Sequence, residues 1–295
     1  MIRKKSIGSV TFDAVNVILL TLVALLCLYP FLYVVFASFS DSAALEVHRG
    51  ALWGSLGFST AAYSAVLDNS EVWLGYANTL FYVIVGTALN LFMTSLGAYV
   101  LARKDFFWNR VLLPMVLLTM FFSGGLIPTF LLVKKIGLYN TRLSIIMPTL
   151  ISTWNLFIMR TNFAAIPSSL EESAEIDGAN SVVVLLRIVL PLSMPVIAVM
   201  ILYYGVARWN AWFDALIYLR DRKLYPLQLF LREILIANST ENMTAGMNMD
   251  SGDAQRVSET VKYATIVVAT LPILCVYPFL QKYFVKGIMV GAVKG

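Results

Sequence analysis

The sequence predicts an all-α membrane protein with six transmembrane helices. Three observations carry that expectation. Hydrophobic residues fill 59% of the 295 positions and charged residues only 13%, where an ordinary soluble domain carries roughly a quarter charged. Mean hydropathy is +0.77. The apolar residues are gathered into separate stretches, each near the ~20 residues that a helix needs to cross a hydrocarbon core. A soluble core of this size could not hide so much apolar surface. A bilayer can, provided the backbone closes its hydrogen bonds within helices.

The stretches fall at about 14–39, 76–102, 111–133, 143–162, 192–219 and 263–285. Several contain proline (Pro30, Pro114, Pro148, Pro272 and Pro278), and these read as kinks, because neighbouring helices re-satisfy the freed backbone groups. The basic start, Arg3-Lys4-Lys5, resembles a secretory signal. The apolar run behind it is longer than the roughly 7–15 residues of a signal core, and no small-x-small cleavage site follows promptly, so it reads as an uncleaved first span. The division expected is 1–75 for the first span and a long outer loop, 76–285 for a core of five spans, and 286–295 for a cytoplasmic tail.

Orientation is weakly marked. Lys134, Lys135, Arg142 and the basic residues of two long loops put nearly as many cations outside as inside, so the positive-inside bias hardly decides. Arg3-Lys4-Lys5 and the lysines near the C-terminus favour cytoplasmic ends. The net charge of +5 does not point to nucleic acid, because the basic residues are scattered between apolar spans. Cys27 and Cys275 lie within apolar segments and read as small membrane-buried side chains, and the single His48 argues against a histidine metal centre.

Two long connections differ in character. Segment 40–75 carries aromatic and acidic residues, among them Trp53, Phe58, Tyr63, Asp68 and Glu71. In 220–262, the first part sets Leu227, Leu231 and Ile234/Leu235 on one helical face, and the Asn/Ser/Thr/Gly/Met-rich remainder reads as loop.

The connection 160–191 carries the most specific pattern. Ser168 and Glu171 have capping-box spacing after Pro167, the acids sit in the first turn of a short helix, and Gly178 stands where a left-handed residue would end it. Helical spacing places Leu170, Ala174 and Gly178 on one small-residue stripe, and Glu171 and Glu175 on an acidic one. Such a helix either docks another protein or packs under its own bundle. The run Glu172-Ser173-Ala174, three residues, Gly178, nine residues, Ile188-Val189-Leu190-Pro191 resembles the cytoplasmic signature of permeases from binding-protein-dependent ABC importers. Alanine is usual where Ser173 stands, a small-for-small change. From about residue 60 onward the chain is similar to the maltose-type carbohydrate permeases, particularly the LplC/YtcP-like branch. Trp209-Asn210-Ala211-Trp212-Phe213-Asp214-Ala215, Tyr225-Pro226-Leu227-Gln228, Leu231-Arg232-Glu233 and the tail from Gln281 carry that closer likeness.

The resemblance implies a type I importer permease fold whose coupling helix, 168–178, meets an ATPase subunit through Glu171, Glu172, Ser173, Ala174, Asp177 and Gly178. It also implies a second homologous permease, two ATPase subunits that bind ATP-Mg, an extracellular sugar-binding lipoprotein, an oligosaccharide substrate and a bacterial plasma-membrane location with both termini cytoplasmic. This chain has no Gly-x-x-x-x-Gly-Lys-Ser/Thr loop, which fits ATP being held by a partner.

In the fifth stretch, Arg208, Trp209, Asn210, Trp212, Phe213 and Asp214 begin roughly 24 Å up a helix counted from Leu192 at ~1.5 Å per residue. On an unbroken helix Trp209 and Phe213 share a face, as do Asn210 and Asp214, and Arg208 and Trp212. Aromatic planes beside amides and carboxylates suit a sugar path; an interfacial aromatic belt with a snorkelling arginine accounts for the same residues. Asn78, Asn90 and Asn155 are weaker candidates, each also readable as a helix–helix hydrogen bond. The rival functions are an ion-coupled secondary sugar carrier, which would want a buried acid–base relay, and a membrane enzyme, which would want clustered acids or a nucleophile–base pair. The only acidic cluster, 171–177, is explained by the helix start.

Overall fold

A computed structural model describes residues 7–236, 260–275 and 278. Within them the chain is helical, with one isolated antiparallel bridge between Ser40 and Phe58 and no strand. The helices in chain order are α1 (Ile7–Ser38), α2 (Ser42–Val47), α3 (Ala61–Asp68), α4 (Ser70–Ala102), α5 (Asn109–Phe121), α6 (Leu126–Lys135) and α7 (Leu143–Thr149). They continue as α8 (Thr153–Ala164), α9 (Ser168–Ile176), α10 (Ser181–Leu192), α11 (Met194–Trp209), α12 (Phe213–Tyr218), α13 (Leu227–Ile236) and α14 (Thr260–Cys275). Two of these, α1 and α4, are single helices long and apolar enough to cross a membrane. Three further bent pairs have the length and composition of a crossing when each is taken as one span: α5 with α6 at 114°, α7 with α8 at 53°, and α10 with α11 at 86°. The sixth apolar stretch is represented by α14, and residues 276, 277 and 279–285 of it, like the tail 286–295, lie outside the described residues.

Hydropathy located the crossings but not their breaks. Pro30, Pro114 and Pro272 all lie within continuous helices. The sharpest bend sits instead at Phe122–Gly125, where Gly125 adopts φ +84°, a backbone region open to glycine at no steric cost. Ahead of Pro191 the chain passes through a π turn over Leu185–Val189, with the Leu190 N–H reaching back to the Leu185 carbonyl. Pro191 and Pro195 lack the N–H that a continuing helix would use, and the chain turns at Ser193 between them. The fifth stretch, expected as one helix to residue 219, ends at Trp209 and resumes at Phe213. Segment 40–75 is not an open loop, since α2, α3 and the first turns of α4 occupy much of it. The part of 220–262 rich in Asn, Ser, Thr and Gly lies outside the described residues.

The chain forms two compact units, one drawn from Met1–Ser70 and Glu233–Thr270, the other from Glu71–Arg232 and Leu271–Gly295. In the first, α1 leaves its apolar side chains exposed along most of its length, as a lipid-facing span does. Its C-terminal end packs Ala37 with Leu45 and Leu52, and Tyr33, Phe36 and Tyr263 close over them. The Asp41 carboxylate accepts from the Ala43 and Ala44 N–H groups and starts α2. The Leu52 N–H donates to the Tyr29 hydroxyl at 2.9 Å, tying the loop back onto α1.

In the second unit, α4 buries a stripe that includes Gly75, Asn78, Thr79, Tyr82, Gly86, Asn90, Thr94 and Ala98, spaced three and four apart. Small and polar residues here let other segments approach the α4 backbone and hydrogen-bond to it, which is how helices associate where lipid tails are as apolar as leucine. A core of Ala98, Tyr99, Leu156, Met159, Phe163, Val184, Leu185, Val189, Met200 and Tyr204 joins α4, α8, α10 and α11. A second core gathers Tyr82, Ile145, Ile146, Ala215, Leu219 and Leu229, with Phe81 and Trp212 against it.

Gly75 marks where α13 lies tightest on α4: a Cβ there would sit 2.9 Å from the Phe230 ring and 3.0 Å from the Leu227 Cα. Because backbone cannot yield like a side-chain tip, Gly75→Val is expected to cost about 1–3 kcal/mol. A fall in the unfolding midpoint of the detergent-solubilised protein measures it, with Gly8→Ala, where a Cβ meets nothing within 4 Å, leaving the midpoint in place.

Candidate functional site

The helix α9 begins differently from the capping-box expectation. Pro167 occupies the N-cap position in an extended backbone (φ −58°, ψ 128°), so Ser168 is already inside the first turn and makes no side-chain cap. The helix end follows the expectation. Ile176 is the last helical residue, Asp177 is the C-cap, Gly178 takes φ +85°, the Ala179 N–H donates to the Ala174 carbonyl at 2.9 Å, and the Gly178 N–H donates to the Glu175 carbonyl at 3.0 Å. This doubly bonded stop requires a left-handed residue at 178.

The two faces of α9 are also redistributed. Ala174 and Ala179 pack on the core around Val184 and Leu185. Glu171 is half-buried, and Glu175 reaches Arg103 at the end of α4 with an N···O distance of 3.0 Å. Glu171 of the acidic stripe thus lies against the chain's own bundle, while Glu175 pairs with Arg103 and stays 43% exposed. Solvent meets Glu172, Ser173, Asp177 and Gly178, together with Leu170 at 43% and Ile176 at 87% exposure. An isoleucine left that open at the end of a short helix is surface that another protein can cover.

Arg103 is the fastening point, a residue that no sequence pattern singled out. Its guanidinium donates to both oxygens of Asp105 at 3.1 Å, to Glu175, to the Tyr99 hydroxyl at 3.3 Å and to Ser181 Oγ at 3.3 Å. One side chain thus joins α4, the turn after it, α9 and α10. The hydrogen bond from Arg103 lowers the Asp105 pKa, and the carboxylates of Asp105 and then Glu175 raise that of Arg103. Glu171 moves the other way: burial raises its pKa, neighbouring Glu175 and Asp105 add to that, and Arg103 opposes it. The signal for this node lay in the sequence as Arg103 and Asp105 just past a span.

The second group of candidates, in the fifth span, is not brought together as one face, because the helix break at 210–212 cancels the four-residue spacing. Arg208 is 5% exposed and points into the protein. It donates to Asn90 Oδ1 at 3.1 and 3.3 Å and to the carbonyls of Ile145 at 2.7 Å, Ile146 at 3.1 Å and Thr149 at 3.3 Å. Asn90 in turn donates to Thr149 and Leu150 carbonyls at 2.8 and 2.6 Å. Arg208 and Asn90 therefore satisfy the carbonyls freed where α7 ends, a structural task in place of a snorkelling or sugar-binding one. Trp209 is buried beside Tyr76, and the Asn210 amide donates back to the Val206 carbonyl. Trp212 and Asp214 are half-buried, and Phe213 is 47% exposed. Asn78 donates to the carbonyls of Lys223 and Tyr225 at 2.7 and 3.1 Å, and Asn155 sits at the capped start of α8.

Spans of this kind, broken and re-satisfied by side chains from a long central helix, with a short helix offered at one end, define a transport permease. Residues 93–290 match the family of binding-protein-dependent transport system inner membrane components, and the chain belongs to that family. It is a type I importer permease in fold and a transport component, not an enzyme. It is 41% identical over 284 residues to the polygalacturonan/rhamnogalacturonan transport system permease protein YtcP of Bacillus subtilis (96% of this chain, 98% of that one). Protein LplC of the same organism is also 41% identical, across 96% of this chain and 95% of its own. A solved bacterial ABC transporter involved in the import of the acidic polysaccharide alginate is similar in structure, with a TM-score of 0.85 and 33% identity over 95% of this chain and 99% of that one.

Replacing Arg208 by Met leaves Asn90 Oδ1 and the Ile146 carbonyl without their arginine donor, and the Ile145 and Thr149 carbonyls with the donors they have from Thr149 Oγ1 and Asn90 respectively. The expected loss is on the order of 3 kcal/mol, seen as a lowered unfolding midpoint in detergent. A sugar-path residue would instead leave the midpoint unchanged. Glu171→Gln has the opposite sign. A carboxyl whose folded pKa is raised contributes stability below its unfolded pKa and loses it as pH rises through the folded value, so at neutral pH its charge is a burden. The amide variant should hold or raise the midpoint at pH 7, with no gain at pH 4.

Proposed function

We propose that this chain is one of two permease subunits of an ATP-driven importer of oligosaccharides, forming half of the translocation path and docking an ATPase subunit through α9. One observation carries the reading: α9 is bolted to the bundle through Arg103, Ala174 and Ala179 while Glu172, Ser173, Ile176 and Asp177 stay open to a partner. A helix fixed on one face and free on the other transmits a push, because its docking residues cannot move without α4 and α10. Family membership supports dependence on a binding protein, and the substrates in the relatives' names support sugars released from complex polysaccharides.

In this reading α9 is cytoplasmic, both termini are cytoplasmic, and ATP-Mg is held by two ATPase subunits. A second, homologous permease supplies the other half of the path, and an extracellular sugar-binding lipoprotein delivers the cargo. Closure of the ATPase pair carries α9 with it and turns the bundle outward; the loaded binding protein then releases sugar into the cavity. Rigid-body rocking about a central site suffices. Trp212, Phe213 and Asp214 remain candidates for the sugar path, whereas Arg208 serves the fold. The ion-coupled carrier is set aside because the family is defined by dependence on a binding protein.

The test is co-purification from the native membrane in mild detergent. Wild type should bring down an ATPase and a second permease. Ile176→Arg, which alters an exposed side chain, should lose the ATPase and keep the second permease; Gly178→Trp, strained at φ +85°, should do the same with some loss of yield. Wild-type protein that emerges alone defeats the reading.

A further inference from the structure

The helix α13 turns Leu227, Phe230 and Ile234 inward, each no more than 5% exposed, and thereby leaves Arg232 on a different face. The Arg232 guanidinium carbon lies 4.4 Å from the centroid of the Trp212 ring. No carboxylate, carbonyl or amide among the described residues accepts from it. Of the other arginines at this end, Arg222 forms a two-pronged pair with Glu71 at 3.0 and 3.1 Å, Arg142 donates to Asn78 Oδ1 at 3.1 Å, and Arg220 is exposed and lies over the Tyr139 ring at 5.7 Å. Arg232 is half-buried, so its unmet donors have lost part of their water without gaining an acceptor. The indole holds the cation in position by its π face and leaves the N–H edge available. Trp212 is itself fixed, packed on the core of Tyr82, Ile145 and Leu229, with Phe213 edge-on at 5.5 Å and 47% exposed.

The surroundings are cationic. Segments 134–142 and 220–232 carry seven Lys and Arg against one acid, Asp221. They form one surface: Asn140, at φ 59°, accepts on Oδ1 from the Arg220 and Asp221 N–H groups, and its own N–H donates to the Tyr218 carbonyl. This surface lies at the end of α4 marked by Glu71–Arg222, while Arg103–Glu175 marks the other, ~50 Å away along a helix of 33 residues. A surface field of one sign concentrates ligands of the opposite sign.

We infer that Arg232, held over Trp212, is a binding site for the carboxylate of an acidic sugar, so that the cargo is a uronate-bearing oligosaccharide. The inference rests on the importer reading above. A guanidinium edge matches a carboxylate with two parallel hydrogen bonds, and the rings of Trp212 and Phe213 offer apolar faces to the sugar's C–H groups. A neutral sugar would leave the arginine unmet.

The test uses the assembled importer in proteoliposomes with ATP inside the ATPase-facing compartment. Uptake is compared for a pool of galacturonate, mannuronate and guluronate oligomers of two to six residues and for the same pool methyl-esterified, which removes charge and keeps shape. Wild type should prefer the free acids by about tenfold or more, the scale of one charge-assisted contact. Arg232→Gln should abolish that preference without slowing uptake of the esters, and Arg232→Lys should restore part of it. Equal uptake of acids and esters by wild type, or a preference that survives Arg232→Gln, overturns the site while the importer reading stands. Absence of ATP-driven uptake of either pool counts against the importer reading itself and takes the site with it. Two further outcomes overturn it: an effect of Arg232→Gln confined to liposomes with anionic lipid, which assigns the guanidinium to a headgroup, and loss of the second permease from the variant complex.

Discussion

The permease core depends on how it meets the carbonyl oxygens that its own broken spans release. A bent crossing leaves backbone acceptors without helical donors, and hydrocarbon offers none. Here the break between α7 and α8 is met by Arg208 and Asn90, which together donate to the carbonyls of Ile145, Ile146, Thr149 and Leu150. The arginine lies close against Gly86, where a Cβ would stand 3.0 Å from its Nε. Where α13 meets α4, the same device recurs on a smaller scale. Asn78 and Tyr82 donate to the carbonyls of Lys223, Tyr225 and Leu224.

The helix α4 thus serves as the reference against which the irregular segments are aligned. Thr79 accepts from the Leu227 N–H, Thr94 bonds Tyr204, and Ser95 contacts Met159. Its two ends carry ion pairs of different worth. Glu71–Arg222 is about half exposed on both sides and contributes little to stability. Arg103 is less exposed, at 23%, and gathers four partners, so its value lies in fixing the direction in which α9 points. Positioning by a multidentate arginine costs side-chain entropy once and constrains three helices together.

Much of this was legible in the sequence, and the parts that were not share a cause. The crossings follow from composition, and the end of α9 from Gly178, because one backbone conformation there admits glycine and little else. The 114° bend at Gly125 was invisible to hydropathy, which measures how apolar a stretch is and not which way it runs. The hydrogen-bond partners of Arg208 were out of view for a related reason. Its faces were reckoned on an unbroken helix, while its acceptors stand 62 and 118 residues earlier in the chain. The capping box failed by one position, since Pro167, with φ already fixed, took the place expected of Ser168.

The order of these residues along the chain bears on biogenesis. Asn90 and the α7–α8 break both precede Arg208 in the chain, so the acceptors are synthesised before the cation that meets them. An arginine within an apolar span is costly to place in lipid by itself. Because these acceptors of Arg208 all lie earlier in the chain, the fifth span carries the donor that closes a set of acceptors supplied by the second and fourth.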